Sequence, residues 1–395
     1  DEHRAIHHAV LARLPEMVRF LMRRGADARA GIYPHRDATA AVVIAHERGY
    51  DEIVAIILEE EANRRAGSGK PPERADGDDG PLTAAVKAGR AGRLAELLAS
   101  GLDPNEPAHL EHVDGAVLSA GGPLHYCATH GKLAMAELLL EAGADPNVQV
   151  YAAGSSVYRA YASGNAEMIA LLERYGGIVD GITVGTLGLV DRARRMLDDQ
   201  AGGRLDSRAI DSLLGPATTI ADDLLWGAAG SGHPEVVRMC LERIERPRDD
   251  SSWYVMLREP MYIGLQRNKA ERRAMLECFR LLLERADPNV QAKRGGRTLL
   301  HDLSGERHRM PPDDRVAIAT MLLDAGARLD GRDDLLESTP LGWACRWGHI
   351  ELVRLLLARG ADPIEADAKP WATPLEWARK RGHAKIVRLL QSTVS

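Results

Sequence analysis

Aromatic side chains are scarce in this chain: they make up 4% of it, with two Phe, six Trp and nine Tyr. Sandwiches and barrels use aromatic and β-branched residues to fill a pleated, half-buried surface, so the deficit counts against an all-β fold. Cysteine is as sparse. Cys127, Cys240, Cys278 and Cys345 lie far apart and form no CxxC pair. That spacing argues against a disulfide framework or a zinc knuckle and for reduced thiols in a cytoplasmic protein. No apolar run reaches membrane-spanning length. No block of like charge stands out either: the formal net charge is -6, with acidic and basic residues interleaved, which counts against nucleic acid or a membrane surface as partner. A nucleophile elbow, an HExxH helix, a paired Cys-His signature and a dinucleotide fingerprint are all missing, so no motif gives a reason to propose an enzyme. The chain opens at Asp1 without a Met, which leaves open a trimmed start or a removed leader.

What is present points to helices. Hydrophobic residues make up 45% and charged residues 27%, and the dominant Ala, Leu, Arg and Glu are good helix formers. At 395 residues the chain is too long for one compact core and suits several domains or an elongated array. One line of sequence recurs. It reads TPLGWACRWGHIELVRLLLARGADP at 339–363 and TPLEWARKRGHAKIVRLLQ at 373–391. Earlier copies are GPLTAAVKAGRAGRLAELLASGLDPN at 80–105 and GPLHYCATHGKLAMAELLLEAGADPN at 122–147, and the N-terminus gives IHHAVLARLPEMVRFLMRRGAD at 6–27. The interval from Thr339 to Thr373 is one period of roughly 33 residues.

One copy explains itself physically. Thr339 and Thr373 suit N-caps, with Pro340 and Pro374 at the first helical position where no N–H is missed. Gly348 and Gly382 end the short helix. A second helix from Glu351 to Arg359 carries the stripe Leu352, Val353, Leu355, Leu356 and Leu357, and Gly360 with Asp362-Pro363 turns the chain outward. A lone helix pair cannot bury both faces, so the stripe implies stacking.

TPLxxA, the GH turn, the apolar stripe and GADPN together resemble the ankyrin repeat family. The resemblance implies an all-α solenoid of stacked helix–turn–helix units, with loops or short hairpins on one edge and protein binding on the concave face and loop tips. Degraded units read near 39–63, 156–180, 182–206, 223–246, 254–289 and 298–330, for roughly ten to eleven repeats. The unit at 182–206 lacks the TPLH start. His125 and His301 fall in the TPLH slot, and His233, His349 and His383 in the GH turn; in this family such histidines tie repeats together.

The Gly/Pro-rich, charged stretch GSGKPPERADGDDG at 67–80 reads as a linker or long loop. It separates N-terminal repeats over 1–66 from a main array over 81–395. Gly69-Lys70 does not make a phosphate loop, because Arg64 and Pro71 stand where that motif needs Gly and Ser or Thr. Insertions fall near 106–121, 245–253 and 305–314, each as tolerable padding or as a functional loop. His109, Glu111, His112 and Asp114 supply ligand types within one loop, yet no helix fixes their spacing, and neither metal nor cofactor is expected.

The most informative placement is aromatic. Trp343 and Trp347 are four residues apart on one helix and share a face, and Trp377 lies 34 residues after Trp343. Arg346, Lys380 and Arg381 lie on the same strip, and Trp371 precedes it. The resemblance makes this the concave face. Tyr126 and His130 form a smaller counterpart. Two readings fit: a cationic, aromatic patch gripping an acidic or aromatic segment of a protein partner, or Trp side chains that cap the last repeat. The expected function is a non-catalytic protein-binding scaffold. The alternatives are the binding portion of an enzyme or toxin whose catalytic domain lies outside this chain, and a small-ligand or single-strand binder that stacks on Trp. The sequence does not fix the oligomeric state.

Overall fold

A computed structural model of the protein describes residues 5–29, 40–67, 80–106, 110–113, 116–119, 121–148, 150, 154–210, 219–262, 268–293, 295–305 and 310–394. The Thr339 hydroxyl accepts from Gly342 N at 3.2 Å and the Thr373 hydroxyl from Glu376 N at 3.3 Å, each just ahead of its proline. At the other end of these short helices Gly348 and Gly382 adopt φ of 78° and 73°, the left-handed region that costs a Cβ dearly. Of the apolar stripe in the second helix, Leu352, Val353 and Leu356 are buried. This pattern of two packed helices per unit recurs through the described residues, which hold eleven such pairs. The fold is an all-α ankyrin-type solenoid.

The pairs belong to two compact units. One comprises residues 1–71 and 245–395, the other 72–244. Residues 1–71 thus group with 245–395, where the sequence sets repeats over 1–66 apart from an array over 81–395. The first unit holds Ala5–Leu11 with Pro15–Arg23, Ala41–Glu47 with Asp51–Gly67, Ser252–Tyr262 with Lys269–Arg285, Leu299–Ser304 with Pro312–Asp324, Pro340–Trp347 with Ile350–Ala358, and Pro374–Lys380 with Ala384–Val394. The second holds Pro81–Lys87 with Ala91–Ala99, Pro123–His130 with Leu133–Glu141, Ser156–Ser163 with Ala166–Arg174, Gly181–Thr186 with Val190–Ala201, and Ile220–Ser231 with Pro234–Leu241. The stretch 67–80, read as a linker, lies almost wholly outside the described residues, as does 306–309 of the last insertion. The insertion at 106–121 carries a hairpin: β1 (Leu110–Val113) pairs antiparallel with β2 (Ala116–Ser119), with Leu110 opposite Ser119 and Val113 opposite Ala116.

Two kinds of polar tie register one repeat on the next. The first is the GH-turn histidine. His233 Nε2 meets Thr186 O at 3.0 Å, His349 Nε2 meets Gly305 O at 3.0 Å, and His383 Nε2 meets Arg346 O at 3.1 Å. A carbonyl accepts only, so this nitrogen carries the ring proton in each case. The second is the asparagine of the DPN turn. Asn147 donates from Nδ2 to Gly176 O at 3.0 Å and accepts from Ile178 N at 2.8 Å. Asn105 makes the same pair of bonds to Gly143 and Asp145, and Asn289 to Gly326 and Arg328. A carboxylate could accept but not donate, so the clasp needs an amide.

The unit without a TPLH start solves its packing differently. Asp180 caps Gly181–Thr186 by accepting from Thr183 N at 2.6 Å. A Cβ on Gly185 would stand 2.3 Å from Leu224 O, and one on Gly227 would stand 2.4 Å from Ile182 O. The two backbones touch through reciprocal glycines, closer than any side chain allows.

Candidate partner-binding surface

The strip singled out in the first unit splits into a buried half and an accessible half. Trp343 and Trp377 are 0% exposed and Arg346 2%. They cannot offer a face to a partner, and for these three the expectation of a surface patch is corrected. The reason is hydrogen bonding as much as hydrophobicity: a buried indole N–H must find an acceptor. Trp343 Nε1 donates to Asp333 Oδ1 at 2.8 Å, and Trp377 Nε1 donates to Ser338 Oγ at 2.7 Å. Both rings are thus pinned to the turn that precedes the helix Pro340–Trp347.

That turn is organised by one carboxylate. Asp333, itself buried, accepts from Leu335 N at 2.9 Å, Leu336 N at 2.7 Å and Ser338 N at 3.1 Å, in addition to the Trp343 indole. His301 approaches from the preceding repeat. Its Nε2 meets Ser338 O at 3.1 Å, its Nδ1 accepts from Thr298 N at 3.1 Å, and its ring stands edge-on to Trp343 at 5.9 Å. Burial holds the His301 imidazole below its usual range, which keeps it neutral. Glu365 adds a second buried carboxylate. It accepts from Thr339 Oγ1 at 2.5 Å and pairs with Arg332 at 2.6 Å, while burial pushes its carboxyl upward. Asp333, Ser338 and Glu365 were missed in the sequence, although Asp333 stands six residues before the TPL start and Ser338 immediately before it.

The accessible half lies on this rigid base. Trp347 is half-buried and stacks on Trp343 with ring centroids 5.0 Å apart at 23°. The Arg346 guanidinium sits between two indoles, 4.4 Å from the Trp347 ring and 5.1 Å from the Trp377 ring. Lys380 and Arg381 are exposed, with the Lys380 ammonium 5.5 Å from the Trp377 ring. Trp371 is half-buried and meets Trp377 edge-on at 5.9 Å. Trp347, Lys380, Arg381 and Trp371 are therefore the part of the strip that faces outward. Counted back from the turn glycine, Trp347, Arg381, Arg48 and His130 occupy one repeat slot: Trp347 and His130 end their helices, and Arg48 and Arg381 are the C-caps that follow Glu47 and Lys380.

The smaller counterpart lies in the second unit. Tyr126 and the exposed His130 stack at 3.8 Å and 20°, and the Lys87 ammonium stands 5.8 Å from the Tyr126 ring. His130 Nδ1 meets Tyr126 O at 2.9 Å. The same unit has a cavity of about 430 Å³ with Glu173, Arg192 and Met196 in its wall. Tyr161 donates to Glu173 at 2.6 Å, and burial followed by that bond pushes its hydroxyl up to about 12. With Arg192 at 3.2 Å on the same carboxylate, these groups satisfy one another.

Of the metal-ligand types noted at 109–114, His109 and Asp114 lie outside the described residues, and Glu111 and His112 stand on β1. Among the described residues no group of three or more His, Cys, Asp and Glu could hold a metal ion. The four cysteines are buried thiols. Burial raises the Cys127 thiol to about 12 and raises Cys240 and Cys345 as well, which quenches their nucleophilicity. No described helix is long and apolar enough to cross a membrane.

Comparison with known proteins agrees with this geometry. The family model for ankyrin repeats in three copies matches residues 268–367 and 313–394, and the single-repeat model matches 122–150. The chain is similar to the palmitoyltransferase Hip14 of Drosophila melanogaster, 35% identical over 111 residues, covering 28% of this chain and 16% of that protein. It is similar to the palmitoyltransferase ZDHHC13 of Homo sapiens, 40% identical over 57 residues, or 14% of this chain and 9% of that protein. It is 28% identical over 197 residues to the B-cell lymphoma 3 protein homolog of Mus musculus, covering 49% of this chain and 40% of that protein. The chain thus spans less than half the length of each of these relatives.

Proposed function

Taking this chain as the ankyrin-repeat protein that it is, we propose that it is a non-catalytic protein-binding scaffold. The observation that carries the reading is the strip in which Trp347, Lys380, Arg381 and Trp371 face outward from a base of buried, hydrogen-bonded indoles. Trp and Arg are enriched at binding hot spots, and a flat aromatic held rigidly loses little entropy when a partner covers it. The exposed Lys380, beside the Trp377 ring, and the exposed Arg381 suit an acidic segment of a partner protein, with an aromatic residue stacking on Trp347. Trp343, Arg346 and Trp377 serve this surface from behind. Tyr126 and His130 offer the second unit a smaller surface of the same kind. Buried thiols fit a reducing, cytoplasmic setting.

A second reading is the binding portion of a longer enzyme. It is supported by the palmitoyltransferases among the relatives, of which this chain matches 16% and 9%. In either case this chain supplies recognition.

The test is affinity capture with the wild-type chain and with a Trp347→Ala/Lys380→Glu/Arg381→Glu variant, followed by titration of the recovered partner. The variant keeps the buried base, so unfolding is not the expected result. We expect the partner's affinity to fall by at least tenfold, and wild-type binding to weaken with salt. Unchanged recovery and affinity would overturn the placement of the surface.

A further inference from the structure

The aromatic region has an occupant supplied by the chain itself. Arg48 is the C-cap of the first helix of the second N-terminal repeat and reaches the loop tips of the C-terminal repeats. Its Nη2 donates to Leu335 O and lies 3.7 Å from Glu337 Oε1, and its guanidinium carbon sits 4.9 Å from the centre of the Trp371 ring. The side chain is 7% exposed, whereas Glu337 remains 29% exposed. A planar cation flanked by a carbonyl, a carboxylate and an indole face is recognised by all the forces arginine can use at once. A lysine ammonium could not spread across the three.

The receiving groups are built in advance. Leu335 belongs to the turn held by Asp333, so its carbonyl direction is set by buried bonds that do not involve Arg48. Glu337 adopts φ of 50°, a left-handed conformation unusual for a residue with a side chain. Lys369 pairs with its Oε2 at 2.7 Å, leaving Oε1 turned to Arg48. Trp371 is steadied edge-on by Trp377. Everything in this pocket is fixed by the C-terminal repeats, and Arg48 enters from elements some 290 residues away in sequence.

We propose that Leu335 O, Glu337 and Trp371 form an arginine-accepting site on the C-terminal repeats. Arg48 fills it from within, and an arginine side chain of a partner protein takes its place when the N-terminal repeats swing aside. The proposal deepens the protein-binding reading and rests on it. The internal arginine acts at high effective concentration, so an incoming arginine must bring further contacts from the neighbouring strip to displace it.

The test uses a small probe, so it does not depend on identifying a partner. The full chain carrying Arg48→Ala is titrated with Nα-acetyl-arginine amide and, separately, with the lysine analogue, while the signal of Trp371 is followed by heteronuclear NMR. Arg48 caps a helix, and circular dichroism checks that the variant keeps the wild-type helix content. The expected result is saturation by the arginine probe at roughly millimolar concentration, the strength of one stacked and paired guanidinium. The lysine analogue, the wild-type chain and the Arg48→Ala/Glu337→Gln variant should each bind at least tenfold more weakly. No arginine-dependent shift of Trp371 in a folded Arg48→Ala variant, or equal binding of both probes, would overturn the site. Either outcome leaves the capture experiment with Trp347, Lys380 and Arg381 to decide the scaffold reading separately.

Discussion

At the scale of the residue, Asp333 is the most consequential side chain in the C-terminal repeats. It satisfies three backbone N–H groups and the Trp343 indole in a dry environment. Removing a shared acceptor leaves several buried donors unpaired, which costs far more than one net hydrogen bond. Asp333→Ala should therefore lower unfolding free energy by about 3–5 kcal/mol in urea titrations followed by fluorescence. Asn, which accepts but carries no charge, should recover part of the loss. His349 gives the chain a pH response. Burial lowers its imidazole to about 4, against about 6.5 for an exposed one, with the nearby Arg315 cation acting in the same direction. A depressed histidine favours the folded state while neutral. Its contribution is complete above pH 6.5 and is lost as pH falls towards 4, because the unfolded chain takes up the proton first. The loss should approach about 2–3 kcal/mol. His349→Gln should flatten the pH dependence of the urea midpoint across that window.

At the scale of the element, most of what holds the helix pairs was legible. Thr-Pro starts, glycine stops and the apolar stripe are local signals, and the helices at 340–358 and 374–394 follow them closely. The pair at 181–201 carried none of the usual opening, because its capping group is Asp180 and its contact surface is glycine. Close backbone approach leaves no hydrophobic trace in a sequence. It has a measurable signature nevertheless. An Ala in mid-helix gains up to about 1 kcal/mol over Gly in propensity. At Gly185 the new methyl would meet the Leu224 carbonyl at 2.3 Å, a backbone atom that can yield only by moving a helix. The clash should win, and Gly185→Ala should destabilise by about 1–3 kcal/mol. Gly92 is the control: a Cβ there meets nothing within 4 Å, so Gly92→Ala should be neutral or stabilising by up to about 1 kcal/mol in the same thermal melts.

At the scale of the whole molecule, the sequence was read as a string and the structure shows where the string meets itself. The repeat period places Trp343, Trp347 and Trp377 on one strip; in the structure Trp343 stacks on Trp347, and the Arg346 guanidinium lies beside both Trp347 and Trp377. It could not distinguish the rings that face solvent from those that face the turn before them, because Asp333 and Ser338 lie outside the helix on which the strip was drawn. Contacts across some 290 residues, such as Arg48 on Leu335, leave no periodic signal at all. The asparagine clasps carry a different kind of information. Each one reaches forward to the loop of the very next repeat and no farther, so these three joints are complete within two neighbours. A module bounded by two such clasps can be added or removed with the other clasps left whole, since each depends only on the repeat that follows it.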